Sequence, residues 1–180
     1  GTGGALVVSS PTSGLATAIK IQSNTFSGNV GTTGGALRYD GYGVIELIGN
    51  SFSDNTAGSG GAVALSTYDA ICTVRDNGFQ SNAVTGGGGA IYWNGHGSSL
   101  RHTIESNTFY LNTATVQGGA IYFVHTKALV SANLGSYNAT PGFGGFAYLE
   151  QGLITAENNY FTGQTGNVYG AVWNLDNTSS

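Results

Sequence analysis

Asn24-Thr25-Phe26-Ser27-Gly28-Asn29 decides the fold, because the chain repeats it. The phrase returns as Asn50-Ser51-Phe52-Ser53-Asp54-Asn55, as Asn77-Gly78-Phe79-Gln80-Ser81-Asn82 and as Asn107-Thr108-Phe109-Tyr110-Leu111-Asn112. Weaker copies run from Asn133 to Asn138 and from Asn159 to Gln164. The first Asn recurs after 26, 27, 30, 26 and 26 residues. A second phrase, Gly-Gly-Ala plus an aliphatic residue, trails most copies: Gly34 to Leu37, Gly60 to Val63, Gly88 to Ile91 and Gly118 to Ile121. Self-similarity at this period indicates stacked repeats, each burying its apolar face against the next.

The residues before each Asn alternate with period two. Ile21 and Ile19, Leu47 and Ile45, Val74 and Cys72, Ile104 and His102 share one phase. Gln22 and Lys20, Arg75 and Thr73, Glu105 and Thr103 share the other. Such alternation marks strands with one buried face. After Gly-Gly, one phase carries Leu37 and Tyr39, Ile91 and Trp93, Ile121 and Phe123, and reads as inward. The opposite phase carries Ala36, Arg38, Ala64, Tyr92 and Tyr122; Arg38 marks it as outward, because an unpaired buried Arg is costly.

Three strands of about five residues plus turns account for one repeat, and a whole repeat separates equivalent strands. They must therefore coil and stack in parallel, about 4.8 Å apart. The expected fold is an all-β, right-handed, single-stranded parallel β-helix of about six to seven coils of about 26 residues, with the hand taken from the usual chirality of parallel crossovers. Residues 1–175 read as a single repeat domain and 176–180 as a tail, together a section of a longer protein.

Stacking gives the phrase its roles. Phe26, Phe52, Phe79, Phe109 and Phe161 form an inward column with a gap at Gly135. Each buried ring is worth roughly 1.5–3 kcal/mol. Asn24, Asn50, Asn77, Asn107, Asn133 and Asn159 form a ladder of side-chain amides that bond the next coil and the turn backbone, Asn also being tolerant of left-handed turns.

Composition narrows the function. The chain has 180 residues, 31 Gly, 8% charged residues and a net charge of −4. Five Lys and Arg argue against nucleic acid, which needs many cations. One Cys forms no internal disulfide, and no apolar run is long enough to insert in a membrane as a helix. No cofactor is expected. Asp40, Asp54, Asp69 and Asp76 lie in different turns without calcium-ligand spacing, and His102 and His125 lack metal-pair spacing. His102 and Cys72 read as core residues. Gly95-His96-Gly97 resembles a segment of pectin-degrading hydrolases, but their clustered Asp residues are missing, so a turn is the simpler reading. Glu105 and Glu157 stand two coils apart in one outward column, near the upper limit for an inverting carboxylate pair. Arg75 beside Glu105 and Lys20 beside Glu46 read as surface ion pairs. Of two glycosylation sequons, Asn138 belongs to a ladder and Asn177 is the better acceptor.

The paired phrases resemble the repeats of chlamydial polymorphic outer-membrane proteins, which are autotransporter passengers built as right-handed β-helices. Phe26 to Asn29, Phe52 to Asn55, Phe79 to Asn82 and Phe109 to Asn112 match one phrase, and Gly88 to Ile91 and Gly118 to Ile121 the other. The chain departs at Gly135, Gln164 and Tyr169-Gly170-Ala171. The resemblance implies an extracellular or cell-surface protein with a structural or adhesive role. The expectation is a non-catalytic rod whose outward Tyr92, Tyr122, Tyr148 and Trp173 form an exposed aromatic stripe. Its expected partners are itself or neighbouring β-helix segments, glycans, or a host or cell-surface partner. A carbohydrate-active β-helix enzyme or a carbohydrate-binding module is the alternative.

Overall fold

A computed structural model describes residues 3–10, 18–166, 170 and, for the backbone alone, 173–176. Among these the chain is all β, a parallel solenoid whose strands form sheets of nine, six and five members. Every pairing is between equivalent residues of successive coils, so the coils are numbered here one to six by their ladder residues Asn24, Asn50, Asn77, Asn107, Asn133 and Asn159.

The three strands of a coil divide differently from the sequence expectation. The strand after Gly-Gly and the strand before Asn run together as one bent strand in Leu37–Ile48, Val63–Arg75, Ile121–Ser131 and Ala147–Glu157. The third strand is a three-residue segment centred on the Phe position, and a two-residue segment such as Thr113–Ala114 follows it. Pairing with the neighbouring coil resumes in register on the far side of the bend, as in Val124↔Glu150 and Thr126↔Gly152. Left-handed residues at Asp69, His125 and Gln151 mark the bends.

The irregular spacings are absorbed at that same corner. Opposite Gly41–Gly43 the neighbouring coil carries one extra residue between Thr67 and Ala70, a bulge that fits the 27-residue spacing. The 30-residue spacing is met by a turn through His96 and Gly97, which splits the long strand into Ile91–Asn94 and His102–Glu105.

Inside, equivalent side chains lie over one another. Leu37, Tyr39, Ile45, Leu47, Leu65, Val74, Ile91, Trp93, Ile104 and Phe123 are fully buried. Phe26, Phe52, Phe79 and Phe109 stack face to face with centroids 4.9, 5.0 and 4.9 Å apart and planes within 6°. The alanines of Gly-Gly-Ala belong inside as well, contrary to the alternation read from the sequence: Ala36, Ala62, Ala90 and Ala120 are fully buried. The amides of Ala36 and Leu37 both donate to the carbonyl of Ala62, so the chain turns there and two consecutive residues face inward.

The Asn ladder is doubled. Asn50 accepts from the backbone N–H and side-chain amide of Asn24, while its own amide donates to the Ile21 carbonyl and to Asn77 Oδ1. The closing residues Asn29, Asn55, Asn82, Asn112, Asn138 and Gln164 repeat the pattern, with Asn82 donating to the Phe52 carbonyl at 3.0 Å and to Asn112 Oδ1 at 2.9 Å. Each amide thereby satisfies backbone groups that a corner would otherwise strand in a dry interior. The left-handed residue is not the Asn itself. It is the residue before it: Ser23, Asp76, Ser106 and Ala132 in one ladder, Asp54, Ser81, Leu111 and Tyr137 in the other.

Candidate functional site

The outward column of the long sheet brings Tyr92, Tyr122 and Tyr148 into register. Their rings stand 5.4 and 5.5 Å apart along the rod. The stripe is less exposed than the alternation suggests. Tyr92 and Tyr122 are half-buried, Tyr148 is 7% exposed and Ala64 is buried. The Gly-Gly corners fold over it: the Tyr122 ring lies against Gly87, and Phe143 packs on Tyr148. The Tyr122 hydroxyl donates to Glu150, and burial followed by that carboxylate pushes the Tyr122 pKa well up. Burial also raises Tyr92, offset in part by its hydrogen bond with Asn94. Trp173 does not continue this column. It stands in register with Ala147, and Asn174 takes the Tyr148 position, because the spacing of 26 residues holds through the decayed phrase. Asn177 lies outside the described residues.

The ion pairs also differ from expectation. Arg75 bonds its neighbour Asp76 at 3.1 Å rather than Glu105, and Arg38 bonds Asp40 at 2.8 Å. The left-handed Asp76 turns its carboxylate back toward Arg75.

His102 is buried beside Trp93, with ring centroids 4.7 Å apart. Its Nδ1 accepts from the Cys72 backbone N–H at 3.3 Å, which leaves the ring proton on Nε2, 3.4 Å from Thr67 Oγ1. Thr67 accepts from Trp93 Nε1 and donates to the Asn94 carbonyl. The network is closed, and burial pushes the imidazole down to about pKa 4. These groups are structural. The Cys72 thiol, pushed well above its ordinary value by burial, is an inert neighbour. His96 sits in an exposed turn with its ring stacked on Tyr68 at 4.0 Å. Burial lowers its pKa, with Asp40 opposing and His125 adding to the shift.

A cluster of exposed apolar side chains lies elsewhere, on the outer face of the six-stranded sheet and in the turn that follows it. Tyr110, Leu111, Leu134, Tyr137 and Tyr160 are 39, 43, 51, 56 and 64% exposed. They belong to coils four to six, flanking Phe109, Gly135 and Phe161 of the core column. At the same three positions coils one to three carry Thr25, Ser27, Gly28, Ser51, Ser53, Asp54, Gly78, Gln80 and Ser81, while coils four to six keep Thr108, Ser136, Thr162 and Gly163 beside the five, so Tyr and Leu enter only in the second half of the rod. The Tyr137 ring lies across Gly163, where any side chain would collide with it, and meets Tyr110 edge to face at 6.2 Å.

Around the next corner a groove of about 250 Å³ is lined by Thr113, Ala114, Ala139, Thr140, Pro141 and Thr165. Thr113, Ala139 and Thr165 are successive rungs of one column, so the groove runs along the rod. No charged residue occurs in 106–124, 132–149 or 158–166, the segments that build this surface. Sequence reading missed these side chains because they occupy the variable positions of the phrase. For Tyr110, Leu134 and Tyr160 the signal was present, because residues one before and one after an inward Phe must point outward; Leu111 and Tyr137 stand two after it, in the left-handed turn that ends the alternation.

Fold and surface together define a parallel β-solenoid repeat protein with one uncharged aromatic face. The repeat model of the Chlamydia polymorphic membrane protein family matches residues 108–124, which carry Phe109 to Asn112 and Gly118 to Ile121. One segment of the chain is thus similar to that family's repeat, and it lies within the parallel solenoid. Comparison with curated proteins and with solved structures gives no match.

Proposed function

We propose that this chain is a cell-surface β-helix rod that acts by adhesion and carries out no catalysis. The observation that carries the reading is that the outer face and the turn after it hold no Tyr or Leu in coils one to three but hold the exposed Tyr110, Leu111, Leu134, Tyr137 and Tyr160 in coils four to six. Exposed aromatic groups on a rigid scaffold lose little conformational freedom on binding, which is why such faces serve recognition. The doubled amide ladder supplies the rigidity. The match to a repeat of polymorphic membrane proteins supports an extracellular setting. Other β-helix segments of the same type are further proposed partners, through surfaces other than this face.

The test is adhesion of beads coated with the chain to a panel of cells and envelope preparations, against albumin-coated beads. Coated beads should be retained several-fold above the control, and Tyr137→Ala with Tyr160→Ala should reduce retention at least about fivefold without lowering the melting temperature. Equal retention of coated and control beads overturns the adhesive reading. Release of reducing ends or unsaturated sugars from a polysaccharide panel overturns the non-catalytic one.

A further inference from the structure

We propose that the aromatic face and the adjoining groove of coils four to six bind an uncharged polysaccharide chain lying along the rod axis. The proposal rests on the reading of this face as an adhesive surface, and it names the occupant.

Three observations favour this occupant. The first is shape. The groove is formed by the column Thr113, Ala139 and Thr165, one residue from each of three successive coils. At about 4.8 Å per coil it extends about 10 Å along the axis, and it is open along its length to a polymer. Ala139 leaves the floor low, and the flanking threonines offer hydroxyls that both donate and accept.

The second is chemistry. Tyr137 has one ring face covered by Gly163, and the residue remains 56% exposed, so the ring is a platform held against the rod. The apolar C–H faces of pyranose rings stack on such platforms, while sugar hydroxyls reach the phenolic tips and threonines. Tyr160 and Leu134, successive rungs of the neighbouring column, widen the apolar area. No charged side chain occurs in the segments that form the face, and Glu105 and Glu157 border it across the preceding corner. Those carboxylates disfavour a polyanion and do nothing against a neutral chain.

The third is size. Five partly exposed side chains offer on the order of 500 Å², short of the roughly 800 Å² per partner that a stable protein complex buries. A polymer that repeats its contacts along several coils needs no larger footprint, because linked weak contacts add through effective concentration.

The probes are the neutral hexaoses of β-1,4-glucose, β-1,4-mannose and β-1,4-N-acetylglucosamine, with hexagalacturonate as the charged comparison, titrated by calorimetry and by amide chemical shifts. At least one neutral hexaose should bind, its trisaccharide about tenfold more weakly, and salt should leave the affinity unchanged. Tyr137→Ala should weaken binding at least about tenfold. Leu153→Ala, an exposed apolar change on the long sheet, should leave it unaltered. Shifts should concentrate in 108–115, 134–141 and 160–166. Absence of saturable binding by every neutral hexaose overturns the proposal, and so does stronger binding of hexagalacturonate. If coated beads still adhere and the hexaoses do not compete, the adhesive surface stands and the polysaccharide is refuted. If the beads do not adhere either, both readings fall.

Discussion

Phe146 occupies the space that Gly135 leaves in the phenylalanine column. A Cβ on Gly135 would come within 2.9 Å of the Phe146 ring and 2.6 Å of Phe161. Phe146 enters from the position that is Ala36, Ala62, Ala90 and Ala120 in the other coils, meets Phe109 edge to face at 5.4 Å and lies 4.2 Å from Phe161. One large and one small residue have exchanged places across the interior, and the core stays filled.

Phe146→Ala should therefore open a cavity and cost about 3–5 kcal/mol, and Gly135→Phe should overpack at about 1–3 kcal/mol or more. The double variant restores the arrangement of the other coils. Urea denaturation should show it more stable than the sum of the single changes by over about 1 kcal/mol. Additive losses would mean that the two positions do not share one space.

Asn82 is fully buried, accepts from the backbone and side chain of Asn55, and donates to the Phe52 carbonyl and Asn112. Asn82→Ala leaves several of these groups unpaired, at about 1–3 kcal/mol each. Asn82→Asp keeps the acceptor but loses the donor, and buries a charge. Both should unfold at lower urea than wild type, with Asp the worse above pH 6. Asn24→Ala, at a more exposed rung, should cost less.

His102 makes stability depend on acidity. Its folded pKa of about 4 lies below the ordinary 6.5, so the unfolded chain takes up the proton first. The stabilisation from the neutral ring is complete above about pH 6.5, declines as pH falls and is gone below about 4, amounting to at most about 3 kcal/mol. The stability gap between wild type and His102→Gln should narrow over that window, with carboxylate titrations common to both cancelling. A constant gap would contradict the buried neutral imidazole.

Ala132 sits at φ 53°, a left-handed conformation that costs a non-glycine residue about 1–2 kcal/mol. Glycine relieves this and gives back part of the gain as unfolded-chain entropy. Ala132→Gly should raise stability by about 0.5–1 kcal/mol in thermal melts. Gly49, which holds the equivalent position in coil two at φ 61°, should lose a similar amount as Gly49→Ala.

The period, the parallel stacking and the inward column were legible because a strand has only two faces and Phe, Ile and Leu mark one of them. Phe146 at the gap was not, since it lies 11 residues further along the coil from Gly135, and only the closed loop brings the two together. Alternation alone also misplaced Ala36, where one carbonyl accepts two amides and the two-residue period breaks. The same rule assigned Tyr148 to an exposed face correctly in direction, but it could not foresee that the Gly-Gly corners fold over that face. Tyr137 and Tyr160 sit at positions where the phrase varies, and a search for repetition passes over what does not repeat.

Cross-linking across adjacent coils measures the stacking itself. The hydroxyls of Ser27 and Ser53 are 2.9 Å apart on neighbouring strands, a geometry that suits a disulfide. Ser27→Cys with Ser53→Cys should oxidise completely within one chain, leaving buried Cys72 reduced, whereas Ser27→Cys with Gln80→Cys, two coils apart, should not. Failure of the first pair to close, or equal closure of the second, would contradict the one-coil register on which the rod is built.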